Sequence, residues 1–150
     1  MKCWRALRAA DGERGSMLIE AVFLVVLVLL PLFYLVGTLG RLQAGAYAVS
    51  AAAREAGRTF TASSDEAAGE AAAVTAAWLV MDAHGFGPAD GGVTLACAAD
   101  PCLTPGSTVR ADATLRVGLP LIPDFMTGVV PGTVTLTSSH VSPVDEYREP

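Results

Sequence analysis

Nineteen consecutive residues, Ala21 to Leu39, carry no charge and are rich in leucine and valine. A helix rises about 1.5 Å per residue, so a run of this length matches a hydrocarbon core of about 30 Å. The segment is predicted to be a transmembrane helix. It accounts for much of the chain's apolarity, which is 52% hydrophobic residues against 17% charged and a mean hydropathy of +0.46. The whole chain has 150 residues, enough for one domain beside such a helix.

Charge is distributed unevenly around this run. Before it lie Lys2, Arg5, Arg8 and Arg14 against Asp11 and Glu13, a formal +2 over the first fifteen residues. The rest carries six arginines, thirteen acids and no lysine, a formal −7, which brings the chain to −5. Basic residues ahead of a membrane helix favour a cytoplasmic N-terminus. The C-terminal part is then expected outside. An acidic exterior without a clustered positive face does not suit nucleic-acid binding.

Cysteine usage agrees with that orientation. Cys3 lies in the basic leader, and Cys97 and Cys102 are separated by four residues in "CAADPC". Two thiols in an oxidising compartment read as a disulfide. The rival reading, a metal site, has half of a ligand set.

Beyond the apolar run, "RLQAGAYAVSAAAREAGRTF" continues in good helix formers. Pro31 is expected to kink the helix or loosen one turn. "TASSDEAAGE" reads as a break and a restart, with Ser63 and Glu66 as a capping box. The second helix is expected to reach Ala83, with an apolar stripe at Ala67, Ala71, Val74, Trp78 and Met81. Then "GVTLACA", "STVRADATLRVG" and "TVTLTSSHV" read as strands. The middle one alternates over Val109, Ala111, Ala113, Leu115 and Val117. "LPLIPDFMTGVVPG" is a connecting loop, and "SPVDEYREP" a polar frayed tail. The expected fold class is α+β: a long N-terminal transmembrane helix continuing into a stem, a second amphipathic helix, and a small antiparallel sheet of three strands. The expected segments are a leader over 1–15, a transmembrane helix over 16–40, a stem over 41–62 and an extracytoplasmic head over 63–150.

No catalytic constellation is visible. His84 and His140 are the only histidines, and neither stands in a catalytic or metal motif. "GFG" and "DGG" are turns without the lysine and following helix of a phosphate loop. The reading is non-enzymatic, with no cofactor, metal or catalytic residue.

The most informative residue is Glu20, a carboxylate at the front of the apolar run. Such a group costs about 2.5–3.5 kcal/mol at mid-bilayer and less near the interface. The bland reading places it at the headgroup level near the helix start. The residues before it favour a sharper one. Gly15 precedes Ser16, and Glu20 is fifth from Ser16. A short basic leader, a glycine, a glutamate in fifth place and an apolar helix together resemble a type IV prepilin processing site.

Within that class, "RGSMLIEAVFLVVLVLLPLFYLV" and "GRLQAGAYAVSAAAREAGR" resemble the TadE-like pseudopilins of tight-adherence (Flp-type) pilus systems. Gly15, Glu20, Pro31, Gly40, Arg41 and Ala53-Arg54-Glu55 carry the match, which runs from Arg14 to Arg58. Ala21 stands where major Flp pilins have tyrosine, and a head domain follows. Both departures point to a minor pseudopilin; TadF-like relatives share much of the pattern. The resemblance implies cleavage after Gly15 by a prepilin peptidase. It also implies assembly through Glu20 with other pilins and pseudopilins, and contact with the pilus assembly and export machinery. The location implied is the cytoplasmic membrane as a single pass; entry into a surface pilus and a priming role in its assembly are both open on this resemblance. A small-residue face at Ala44, Gly45, Ala48, Ala51 and Ala52 is expected to admit close packing of another helix.

Two other readings stand beside it. One is a permanently anchored single-pass protein with an extracytoplasmic binding head. The other is a secreted domain whose signal peptide is cut after Ala46 or Ala48, where small residues fit the cleavage pattern.

Overall fold

A computed structural model describes the backbone of residues 4–119 and 132–147, and side chains from residue 17 onward within those ranges. The elements are α1 (Trp4–Thr61), α2 (Glu66–Ala83), β1 (Gly91–Cys97), β2 (Thr108–Gly118) and β3 (Thr133–Pro143). This is the expected α+β arrangement. Most of the connecting loop after Leu119, and the last residues of the tail, lie outside the described residues. The chain divides into two units, Met1–Thr38 and Leu39–Pro150. The segments 41–62 and 63–150 thus belong to one compact unit. Pro31 falls inside α1, which is helical on both sides of it.

The sheet forms because β2 alternates strictly. Val109, Ala111, Ala113, Leu115 and Val117 are all buried, while Arg110, Thr114 and Arg116 between them are exposed. That alternation defines one core face. β2 is central, with β1 and β3 antiparallel on either side. Register sets Val93 opposite Ala113 and Leu136 opposite Leu115. The outer face carries Thr133, Thr135, Thr137 and Ser139 on β3, all exposed.

The C-terminal part of α1 covers the inner face. Gly45, Ala48, Val49, Ala52, Ala53, Ala56, Gly57 and Phe60 are buried at three- and four-residue spacing, the period of one helix face. Gly45 lies against Val117 and Leu136, and Gly57 against Ser142 and Ala111. Twelve helical residues rise about 18 Å, close to the roughly 20 Å of six strand residues. α1 therefore runs along β3 in the same direction. The small-residue face is buried within the chain's own compact unit, where Gly45 meets Val117 and Leu136 of the sheet and Phe86 beyond α2. Gly45, Ala48 and Ala52 are buried there, with Ala44 and Ala51 half-buried beside them.

α2 packs alongside with its ends reversed, since Gly69 meets Phe60 near the end of α1 while Phe86 reaches toward Gly45. Its buried line is Gly69, Ala73, Ala77 and Met81. The expected stripe is thus corrected. Ala67 and Ala71 are exposed, and of that set Met81 alone is buried. The close approach to Phe60 selects the smallest residues: a Cβ on Gly69 would stand 3.2 Å from the Phe60 ring.

The capping box is corrected too. Asp65 is the N-cap, its carboxylate accepting from Ala68 N–H at 2.9 Å. Ser63 Oγ donates to Thr59 O, and Glu66 turns elsewhere, as described below. The other end closes with a paired motif. Gly85 at φ +77° lets its N–H reach Asp82 O and that of Phe86 reach Met81 O, while Phe86 and Met81 pack together in the core. Only glycine takes that φ without penalty, and the two bonds satisfy carbonyls the helix leaves open.

Candidate functional site

From Met17 to Leu39 the large apolar side chains of α1 are exposed, between 42% and 74%. α1 over Met17–Thr61 is long and apolar enough to cross a membrane, with a best-window mean hydropathy of 2.7. Such a surface is unfavourable in water on every side at about 25 cal/mol per Å², and matches lipid or other apolar helices. A single-pass membrane anchor fits this element.

Glu20 is the single charged residue between Met17 and Gly40, and it is exposed. The ion pairs among the described residues are Glu55–Arg58 and Arg110–Asp112. Glu20 therefore has no ionic partner among them. Gly15 and Ser16 lie within the helical backbone of α1, and their side chains fall outside the described set.

Cys97 and Cys102 are bonded, with Cα atoms 5.1 Å apart. The bond closes the turn after β1, which includes a cis Asp100–Pro101 peptide. A tie that sequence reading missed holds this turn to α2. Glu66 Oε1 accepts the Cys102 N–H at 2.5 Å, across 36 positions. Beside it lies an open hollow of about 350 Å³ bordered by Phe60, Glu66, Glu70, Leu95 and the disulfide.

A second missed feature is Arg41. Its guanidinium stands 4.2 Å from the Phe86 ring centroid, and Nη2 donates to Gly85 O at 3.1 Å. The sequence shows Arg41 only as a charge at the end of the apolar run; its ring partner is 45 residues away.

His84 caps α2, with Nδ1 2.9 Å from Val80 O, so the Nδ1–H tautomer donates there. His140 lies half-buried on β3. Among the described residues no three His, Cys, Asp or Glu side chains cluster as a metal site would need.

The positions expected for signal-peptide cleavage fall within α1, where Ala46 and Tyr47 are exposed between packed residues. Ala48 is fully buried and Gly45 is in contact with the sheet. A cut after Ala46 or Ala48 would remove Arg41, Leu42 and Gly45 from the packed unit.

No family model, no curated protein and no solved structure matches this chain.

Proposed function

We propose that the chain is a non-enzymatic minor pseudopilin of a tight-adherence pilus system. It inserts with its N-terminus inside, loses residues 1–15 to a prepilin peptidase, and assembles through its N-terminal helix. The observation that carries this reading is Glu20: one carboxylate in the otherwise uncharged stretch Met17 to Gly40, and the fifth residue of the segment that Gly15 precedes.

Cleavage after Gly15 would make Ser16 an α-amine. That cation would lie about 6 Å along the helix axis from Glu20. Side by side in a filament, the carboxylate of one helix pairs with the amine of its neighbour. A desolvated charge is strongly penalised alone and tolerated when paired, so the pair fixes the axial register between subunits. The assembling surface is then residues 16–40, because much of the small-residue face beyond Arg41 is already buried within the chain's own head. Partners on this reading are other pilins and pseudopilins and the pilus assembly and export machinery.

The test is Glu20→Gln and Glu20→Ala in the chain's own host. Both variants should insert and be processed, yet fail to support pilus assembly. Normal piliation in both would overturn the charge-pair account.

A further inference from the structure

We propose that the Cys97–Cys102 bond is a thiol-exchange site that selects its co-reactant by charge. Neutral and cationic thiols reach it, and anionic thiols are held off by Glu66 and Glu70. The proposal stands apart from the reading of Glu20 and the membrane helix, because every group it uses lies in the unit Leu39–Pro150.

The first observation is access. Cys97 and Cys102 are both half-buried. They pack against the core cluster on one side, and both border the open hollow of about 350 Å³ beside the start of α2. The hollow gives a small thiol its approach to the sulfurs.

The second is charge. The charged residues that border the hollow are Glu66 and Glu70, both acidic and both exposed. Four positions apart, they lie one turn from each other on neighbouring places of the helix surface. Glu66 is also fixed in place. Its Oε1 accepts the Cys102 N–H at 2.5 Å, so a carboxylate is held against the residue that carries one of the two sulfurs. Asp65, the N-cap, adds a third acid at this end of α2. The helix N-terminus opposes them with roughly half a positive charge, which three carboxylates outweigh.

The third is the chemistry of exchange. An external thiolate attacks one Sγ, and its electron pair forms the new S–S bond. The Cys97–Cys102 bond breaks, and its pair leaves on the other Sγ. A second thiolate of the same kind then displaces the chain's sulfur from the mixed disulfide. The co-reactant leaves as its own disulfide, and Cys97 and Cys102 each take a proton. The attacking sulfur is always negative, so the rest of the reagent sets its net charge. An ammonium group cancels the thiolate's charge, and a sulfonate doubles it. Within a Debye length, about 10 Å at 0.1 M salt, the carboxylates act on that difference.

The full chain with Cys3→Ser, which leaves Cys97 and Cys102 as its only cysteines, is held in an uncharged detergent at low salt. Its reduction by aminoethanethiol and by mercaptoethanesulfonate is followed by alkylation and mass, each rate being divided by the thiolate fraction. The reference is the oxidised peptide "CAADPC", which keeps Asp100 and lacks Glu66 and Glu70. The expected ratio of cationic to anionic rates is on the order of tenfold above the peptide's. It should fall toward the peptide's in high salt and in the double variant Glu66→Gln, Glu70→Gln. Glutamine keeps an acceptor for the Cys102 N–H, so this variant removes the charge and leaves the tie. A ratio equal to the peptide's, or one that the double variant leaves unchanged, would overturn the selection by charge. No reduction of the folded chain by either thiol would overturn the exchange site itself.

Discussion

A Cβ placed on Gly45 would stand 2.5 Å from Cγ2 of Val117. No real side-chain contact is that close, so the helix and the sheet meet there only because Gly45 has none. Leu136 Cδ1, at 3.0 Å, closes the other side. Valine is stiff at χ1, so Val117 has little room to turn away.

Gly45→Ala should therefore destabilise the head by about 1–3 kcal/mol through overpacking. It should do so although alanine is better than glycine in a helix by roughly 1 kcal/mol. Gly40→Ala is the matched control, since nothing lies within 4 Å of its Cβ position. It should be neutral or stabilising by up to about 1 kcal/mol. Urea unfolding of the full chain in detergent compares the two. Equal behaviour would remove the close approach as a constraint.

The start of α2 gives a second test. Asp65→Ala should cost about 1 kcal/mol, because the acceptor for Ala68 N–H is lost. Ser63→Ala should leave the first turn of α2 capped, since the Ser63 hydroxyl donates back to Thr59 O. Thermal melts of the two variants should therefore separate, with Asp65→Ala the lower. The reverse order would restore Ser63 as the cap.

These two sites mark where the sequence was legible and where it was not. The sheet was readable because β2 alternates valine, leucine and alanine with arginine, aspartate and threonine, and that contrast has one period. The α2 stripe was not, because Glu66–Ala83 is dense in alanine and offers no contrast between faces. The small residues of α1 were recognised as a close-packing face. What they pack against depends on contacts with Val117, Leu136 and Ser142, far along the chain. The cap was ambiguous because Ser63, Ser64 and Asp65 are consecutive and only backbone geometry selects one. The Glu66–Cys102 and Arg41–Phe86 contacts are long-range and carry no local signal.

The disulfide should be worth little. It closes a loop of six residues, and the chain-entropy estimate for so short a loop is about 2 kcal/mol. Replacing both Cys97 and Cys102 by serine should lower stability by that amount or less and leave the sheet intact by far-ultraviolet circular dichroism. Reductant should destabilise the natural chain equally and leave the double variant unchanged. Complete unfolding on reduction would show that the turn, with its tie to Glu66, carries the head.

The Glu55–Arg58 pair predicts a pH effect of defined sign. Hydrogen bonds from Arg58 at 2.5 and 3.1 Å hold the Glu55 carboxyl below its ordinary value. Partial burial opposes this, and the Arg58 charge adds to the lowering. The folded value lies below the unfolded one. The pair's contribution is therefore present above the unfolded value and is lost as pH falls through the folded one. Both groups are substantially exposed, so salt screens the effect. Carboxyl-carbon titration by NMR should show the Glu55 midpoint rising in Arg58→Ala. An unmoved midpoint would show that the pair does not persist in solution.

The central claim is prepilin processing, and the mature N-terminus tests it most directly. The chain is isolated from membranes of its own host, and its intact mass and N-terminal sequence are determined. The account predicts a start at Ser16, with Glu20 as the fifth residue. A start at Met1 would contradict it and leave a permanent anchor bearing the head. A start at Tyr47 or Val49 would contradict it too, and make the apolar helix a discarded leader.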